Sequence, residues 1–180
     1  MAFFIDWRCW RTRFLGIVLI GFLFTSIALF TGGWSEFKFK SSKKYQSLGQ
    51  NYYTWEIDIL SSRHDIPRYG FEKWCVAAMF FAWFFEIAII IISILNYTNI
   101  KLNINNKSLV LTILSGVATL LILAVVIVYP VKAPSAYKGA DFYGIKYSIS
   151  YSYFLAIFSF IFMLASTISG YFMMREYVEY

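Results

Sequence analysis

The chain has 180 residues, 59% of them hydrophobic, 22% aromatic and only 14% charged. A soluble domain of this length cannot hide that much apolar surface, so the composition points to a membrane protein, and four apolar runs along the chain make it an all-α membrane protein. The formal charge of +6 is spread over every loop and forms no basic stripe along a helix, which argues against a nucleic-acid partner.

Four apolar runs are each about long enough to cross a hydrocarbon core of roughly 30 Å as a helix: Phe14–Thr31, Trp74–Leu95, Leu109–Val131 and Tyr153–Met174. None contains Lys, Arg or His, and only the second contains an acid, Glu86. The first run follows Arg8, Arg11 and Arg13. It exceeds the usual signal-peptide core of about 7–15 residues and no small-x-small cleavage site follows, so it reads as an uncleaved signal anchor. Its arginines suit anionic lipid headgroups.

The loop over residues 32–73 is the one long enough to hold structure outside the membrane. "SEFKFK" and "TWEIDI" alternate polar and apolar residues, the period of half-buried strands, and the polar "SSKKYQSLGQN" between them suits a connection. The loop between the second and third spans is short and polar. It carries two glycosylation sequons, at Asn96 and Asn106, both so near the membrane that they are expected to stay bare. The last loop, 132–152, is entered through "YPVKAP" from Tyr129 and then reads as a strand in "DFYGIKYSISYSY". The expected architecture is one membrane domain over 1–180: an up-down four-helix bundle with a small β-sheet drawn from the first and third loops on one side.

Orientation is nearly balanced. The side of the termini holds six basic residues and the other side ten, while the dense arginine cluster before the first span favours a cytosolic N-terminus. Cys9 and Cys75 are separated by one crossing and belong to opposite faces, so no disulfide is expected between them.

In lipid, helices associate through close packing and polar contacts, so small residues mark packed faces. Gly21, Thr25, Ala28 and Gly32 share one face of the first span. Ala78, Ala82 and Glu86, followed by Ser93, share one face of the second; Ser108, Thr112, Ser115 and Thr119 one face of the third; Ala156, Ser159, Ser166 and Gly170 one face of the fourth. Glu86 therefore belongs to a protein-facing stripe. With no intramembrane cation in its own chain, it is expected to be a neutral carboxyl bonded to a hydroxyl such as Ser115 or Thr119. The alternatives are an anchor for a partner helix, or a site for a cation or lipid headgroup.

Enzymatic chemistry finds no support. "SSRHD" at Ser61–Asp65 sets the three triad residue types side by side in one loop, where they rarely align. His64 is the sole histidine and no cysteine pair accompanies it, so no metal site is expected. Phosphate-binding glycine loops are absent, and no cofactor is expected. The terminal Val178-Glu179-Tyr180 reads as an aromatic interfacial end rather than a ligand for a strand-adding peptide-binding domain.

Two stretches carry a family resemblance. "TGGW", with Gly33 and Trp34, stands just after the first span, and "YGIKYSISYSYFLAIFSFIFMLASTISGYFMM" runs from a strand into the last helix. With the order of spans and loops, they resemble the claudin superfamily, which includes peripheral myelin and epithelial membrane proteins and calcium-channel gamma subunits. The resemblance implies cytosolic termini, an extracellular sheet and residence in the plasma membrane. The family follows its tryptophan with a Cys-x(8–10)-Cys pair that staples the sheet; here Phe37 stands where the first cysteine is expected, and residues 32–73 contain none. A staple typically contributes about 2–4 kcal/mol, so this sheet is expected to be held by contact with something else.

These features lead to a non-catalytic subunit that assembles laterally with other integral membrane subunits, such as a channel or receptor. The alternative is a junctional or adhesion protein, as in claudins. A less favoured third reading is a small transporter using Glu86.

Overall fold

The structure is a computed structural model, and it describes residues 10–31, 33–40, 52–57, 69–97, 107–136 and 145–176. Its elements run α1 (Trp10–Phe30), β1 (Ser35–Lys40), β2 (Tyr52–Ile57), α2 (Gly70–Tyr97), α3 (Lys107–Ala136), β3 (Ile145–Ile149) and α4 (Tyr151–Glu176). All four helices are long and apolar enough to cross a membrane, and together they support a multi-pass membrane protein. The first covers the expected run Phe14–Thr31 except Thr31, and each of the other three contains its expected run.

The helices close a ring in which α1 packs on α2 and α4, and α3 packs on α2 and α4. Large apolar side chains point out of the ring: Phe81 is 60% exposed and Leu120 is 65% exposed. In water such a surface would be an aggregation hazard; against lipid tails it is ordinary. The inward stripes hold the small residues. Gly21, Thr25, Ala78, Ala82, Ser115, Thr119, Ser159 and Ser166 are all buried. The α1–α2 seam also carries an aromatic cluster, where the Trp83 indole stacks on Phe22, meets Phe30 edge-on and donates through Nε1 to Ser26 Oγ at 2.9 Å.

Every helix runs past its expected span at one end or both, and two of these extensions are built on identifiable contacts. The third helix does not stop at Val131. It continues to Ala136 with Pro130 and Pro134 inside it, so the segment expected to open the third loop is its last turns. A proline ring fits helical φ but removes the N–H that would bond the carbonyl four residues back. For Pro130 that carbonyl belongs to Val126, and the Tyr153 hydroxyl donates to it at 2.9 Å. A neighbouring helix thus supplies the donor the proline lacks. At the start of α2, Tyr69 is the capping residue: its N–H donates to Glu72 Oε2 at 3.2 Å, and its carbonyl accepts from the N–H groups of Glu72 and Lys73. A glutamate reaching back three residues in this way is half of a capping box.

The sheet has three strands in the order β2-β1-β3, antiparallel throughout, and draws on both loops. Its register sets Phe37 opposite Trp55 on one side and Tyr147 on the other. The sheet is fixed to the bundle through β1. Gly33, at φ 119°, makes the turn out of α1 in a region that L side chains rarely adopt. A Cβ there would also collide with the Tyr151 ring. Trp34 follows, fully buried, and donates through Nε1 to the Ala28 carbonyl at 2.7 Å. Its ring meets Tyr129 and Tyr153 edge-on. The backbone bonds Ser150 N to Trp34 O and Ser152 N to Gly33 O carry the β1–β3 pairing down to the start of α4. This packing supplies the hold that the sequence, lacking a cysteine pair, leaves to some other contact.

Candidate functional site

The heptad Ser152, Ser159, Ser166 runs down α4 with all three side chains at 0% exposure, and each marks a polar layer of the bundle. In the outer layer Ser152 Oγ pairs with Thr31 Oγ1 of α1 at 3.0 Å. In the inner layer Ser166 Oγ pairs with Ser115 Oγ of α3 at 2.5 Å. Thr167 lies within 3.0 Å of Ser115 and 3.1 Å of Thr119. The hydroxyls of Ser166, Thr167 and Thr119 also bond carbonyls one turn back on their own helices.

The middle layer contains the acid. Thr25 Oγ1 of α1 lies 2.8 Å from Glu86 Oε1 of α2, 2.5 Å from Ser159 Oγ of α4, and 3.1 Å from the Gly21 carbonyl one turn back on α1. One hydroxyl therefore joins three helices. Glu86 is at 0% exposure, and its Oε2 has no hydrogen-bond partner among the described residues. Ser93 Oγ, seven residues further along α2, is also buried and has no partner among the described residues.

Glu86 thus has a hydroxyl partner, but not the expected one. Ser115 and Thr119 face α4 across the α3–α4 seam and satisfy one another there, whereas Glu86 turns toward α1. Helical spacing selects which residues are inward, but not which inward residue on another helix lies at the same depth and side. Ala78 and Ala82 occupy the same buried stripe as Glu86. Gly21 lets α4 approach: a Cβ there would lie 2.9 Å from Met163 Sδ. Gly32, the tripeptide at the C-terminus and the Ser61–Asp65 segment lie outside the described residues.

A second polar cluster, where the sheet meets the bundle, was not anticipated from sequence. Ser35 Oγ, fully buried, lies 2.6 Å from the Tyr129 hydroxyl and donates to the Tyr147 hydroxyl at 3.3 Å. Glu72 and Cys75 are buried nearby. Burial pushes the Tyr147 phenol above its ordinary range; the Ser35 hydrogen bond opposes this, and the Glu72 carboxylate adds to it. The available signal was the placement of Tyr129 and Tyr153 at span ends, but that pattern equally marks interfacial anchors facing lipid. Among the described residues no cluster of His, Cys, Asp and Glu has the makings of a metal site. Cys75 is a free thiol, and Cys9 lies outside the described residues.

The chain matches no protein-family model and no curated protein.

Proposed function

We propose that the chain is a non-catalytic plasma-membrane protein with cytosolic termini, resembling the claudin superfamily, that assembles laterally as an accessory subunit of a channel or receptor. The observation that carries this reading is the way the sheet is mounted. Its central strand is locked to the bundle through Trp34 and the Gly33 turn, while β2 and β3 are the outer strands of the sheet among the described residues. An edge strand offers a row of N–H and C=O groups that another protein can pair with. A sheet held rigidly at the membrane surface by its middle strand presents those edges to a neighbour in the same membrane. The stripe residues Gly21, Thr25, Ala78, Ala82, Ser115, Thr119, Ser159 and Ser166 are buried inside the bundle, so the large apolar side chains on its outside, such as Phe81 and Leu120, are the ones that meet such a partner.

The test is extraction from native membranes in a mild detergent, sizing on a native gel and identification by mass spectrometry. Co-migration with an unrelated channel or receptor subunit is expected. A ladder of this chain alone, together with enrichment at cell–cell contacts, would instead establish the junctional reading. That reading is favoured by the same two edges, which would then meet their counterparts on an opposing cell.

A further inference from the structure

We propose that Glu86 is a proton-binding latch: its protonated carboxyl closes the middle layer of the bundle, and loss of that proton to solvent loosens α2 from α1. This goes beyond the subunit reading and does not depend on it.

The argument is a count of hydrogens. The Thr25 hydroxyl has three polar contacts, to Glu86 Oε1, Ser159 Oγ and the Gly21 carbonyl. A hydroxyl has one hydrogen to give and two lone pairs to receive with. With Glu86 protonated on Oε1, three hydrogens serve the three contacts: Glu86 and Ser159 donate to Thr25, and Thr25 donates to Gly21. With Glu86 ionised, two hydrogens remain for the same three contacts. Half of the negative charge then sits on Oε2, which is fully buried and has no partner among the described residues.

Nothing among the described residues neutralises that charge. On α1 the described charged groups are Arg11 and Arg13 in the first turn. On α3 and α4 the titratable groups, from Lys107 to Lys132 and from Tyr151 to Arg175, occupy the end portions of each helix. On α2 itself Glu72, Lys73 and Cys75 lie at the start. No titratable side chain faces Glu86 from any helix at its own depth. An unpaired buried carboxylate is among the costliest groups to retain in a bundle, so opening the layer to water or headgroups is the available relief. Because the closed bundle holds a proton that the opened one releases, stability is greatest at low pH and falls as pH rises.

The test uses the full chain in lipid nanodiscs, with Glu86→Gln as the variant, since an amide keeps a donor for Thr25 and cannot ionise. Infrared spectra of the wild type at neutral pH should contain the C=O band of a protonated carboxylic acid that the variant lacks. The wild-type unfolding midpoint should fall by several degrees between about pH 5 and about pH 9, across the range in which a carboxylic acid held neutral gives up its proton, while the variant stays flat. An absent acid band, or midpoints that run in parallel, overturns the proposal. Should Glu86→Gln fail to fold, the wild type decides alone. Loss of its acid band on raising the pH must coincide with faster amide exchange along α2, and band loss with unchanged exchange overturns the latch.

Discussion

At the scale of single residues, two glycines with the same helical conformation have opposite meanings. Gly170 of α4 sits at a three-helix crossing, where an added Cβ would lie 2.7 Å from Thr112 Oγ1 and 3.2 Å from the Phe14 ring, with the Thr112 backbone behind them at 3.4 Å. Gly116 of α3 has nothing nearer than Thr167 Cγ2 at 3.8 Å. Gly116→Ala should therefore raise stability by about 0.5–1 kcal/mol, the usual gain from removing glycine's unfolded-state freedom. Gly170→Ala should lower it by about 1–3 kcal/mol through overpacking. Thermal unfolding of both variants in the same detergent checks the pair; equal effects would mean that α3 and α4 do not cross α1 at this point. Glu86 belongs to the same scale. That it faces protein was legible from its place among small residues, but its partner Thr25 was not, because helical periodicity says nothing of relative depth.

At the scale of elements, hydrogen bonds between segments replace what the segments lack. Tyr153 supplies the donor that Pro130 withholds from Val126. Tyr153→Phe should cost about 1–3 kcal/mol, the penalty of a buried unpaired carbonyl. The same change in a Pro130→Ala background should cost clearly less, because residue 130 then has its own N–H for Val126. A double-mutant cycle measures this coupling, and additive effects would sink the account. The sheet offers a second test. Residues directly opposite in an antiparallel pair have Cα atoms about 4.5–5.5 Å apart, within reach of a disulfide. Phe37→Cys with Trp55→Cys should therefore oxidise to a cross-link, visible as a gel shift reversed by reductant. Phe37→Cys with Glu56→Cys should not, because adjacent strand positions face opposite sides of the sheet. A cross-link in the second pair and not the first would show a register slipped by one residue.

At the scale of the whole molecule, the four-helix ring places Lys73 and Lys132 at the end that carries the sheet, and Arg13, Lys107 and Arg175 at the other. Single cysteines at these positions, with Cys9 replaced by serine and buried Cys75 left in place, should divide into two classes. In sealed vesicles an impermeant maleimide should label Lys73→Cys and Lys132→Cys from one side. Lys107→Cys and Arg175→Cys should react only from the other. Mixed labelling within either pair would rule out four crossings. The result would also fix the orientation that the basic residues leave nearly balanced.

The span count, the strands of both loops and the inward stripes were all determined by the sequence alone, because each rests on a local period or a local composition that survives without knowledge of neighbours. Long runs without charge must sit in lipid, and small residues at helical spacing must face other helices. Three features were decided only in the tertiary structure. Tyr129 and the two prolines after it look like a loop by local rules, yet they continue a helix because α4 brings a hydroxyl to the carbonyl that proline orphans. Glu86 pairs with Thr25 because the ring order and the axial offset of α1 against α2 bring those two side chains to one depth. The sheet is fixed to the bundle where Trp34, Tyr129 and Tyr153 meet from three distant parts of the chain. Each depends on pairings between residues dozens of positions apart, and such pairings follow from how whole helices pack rather than from any local pattern.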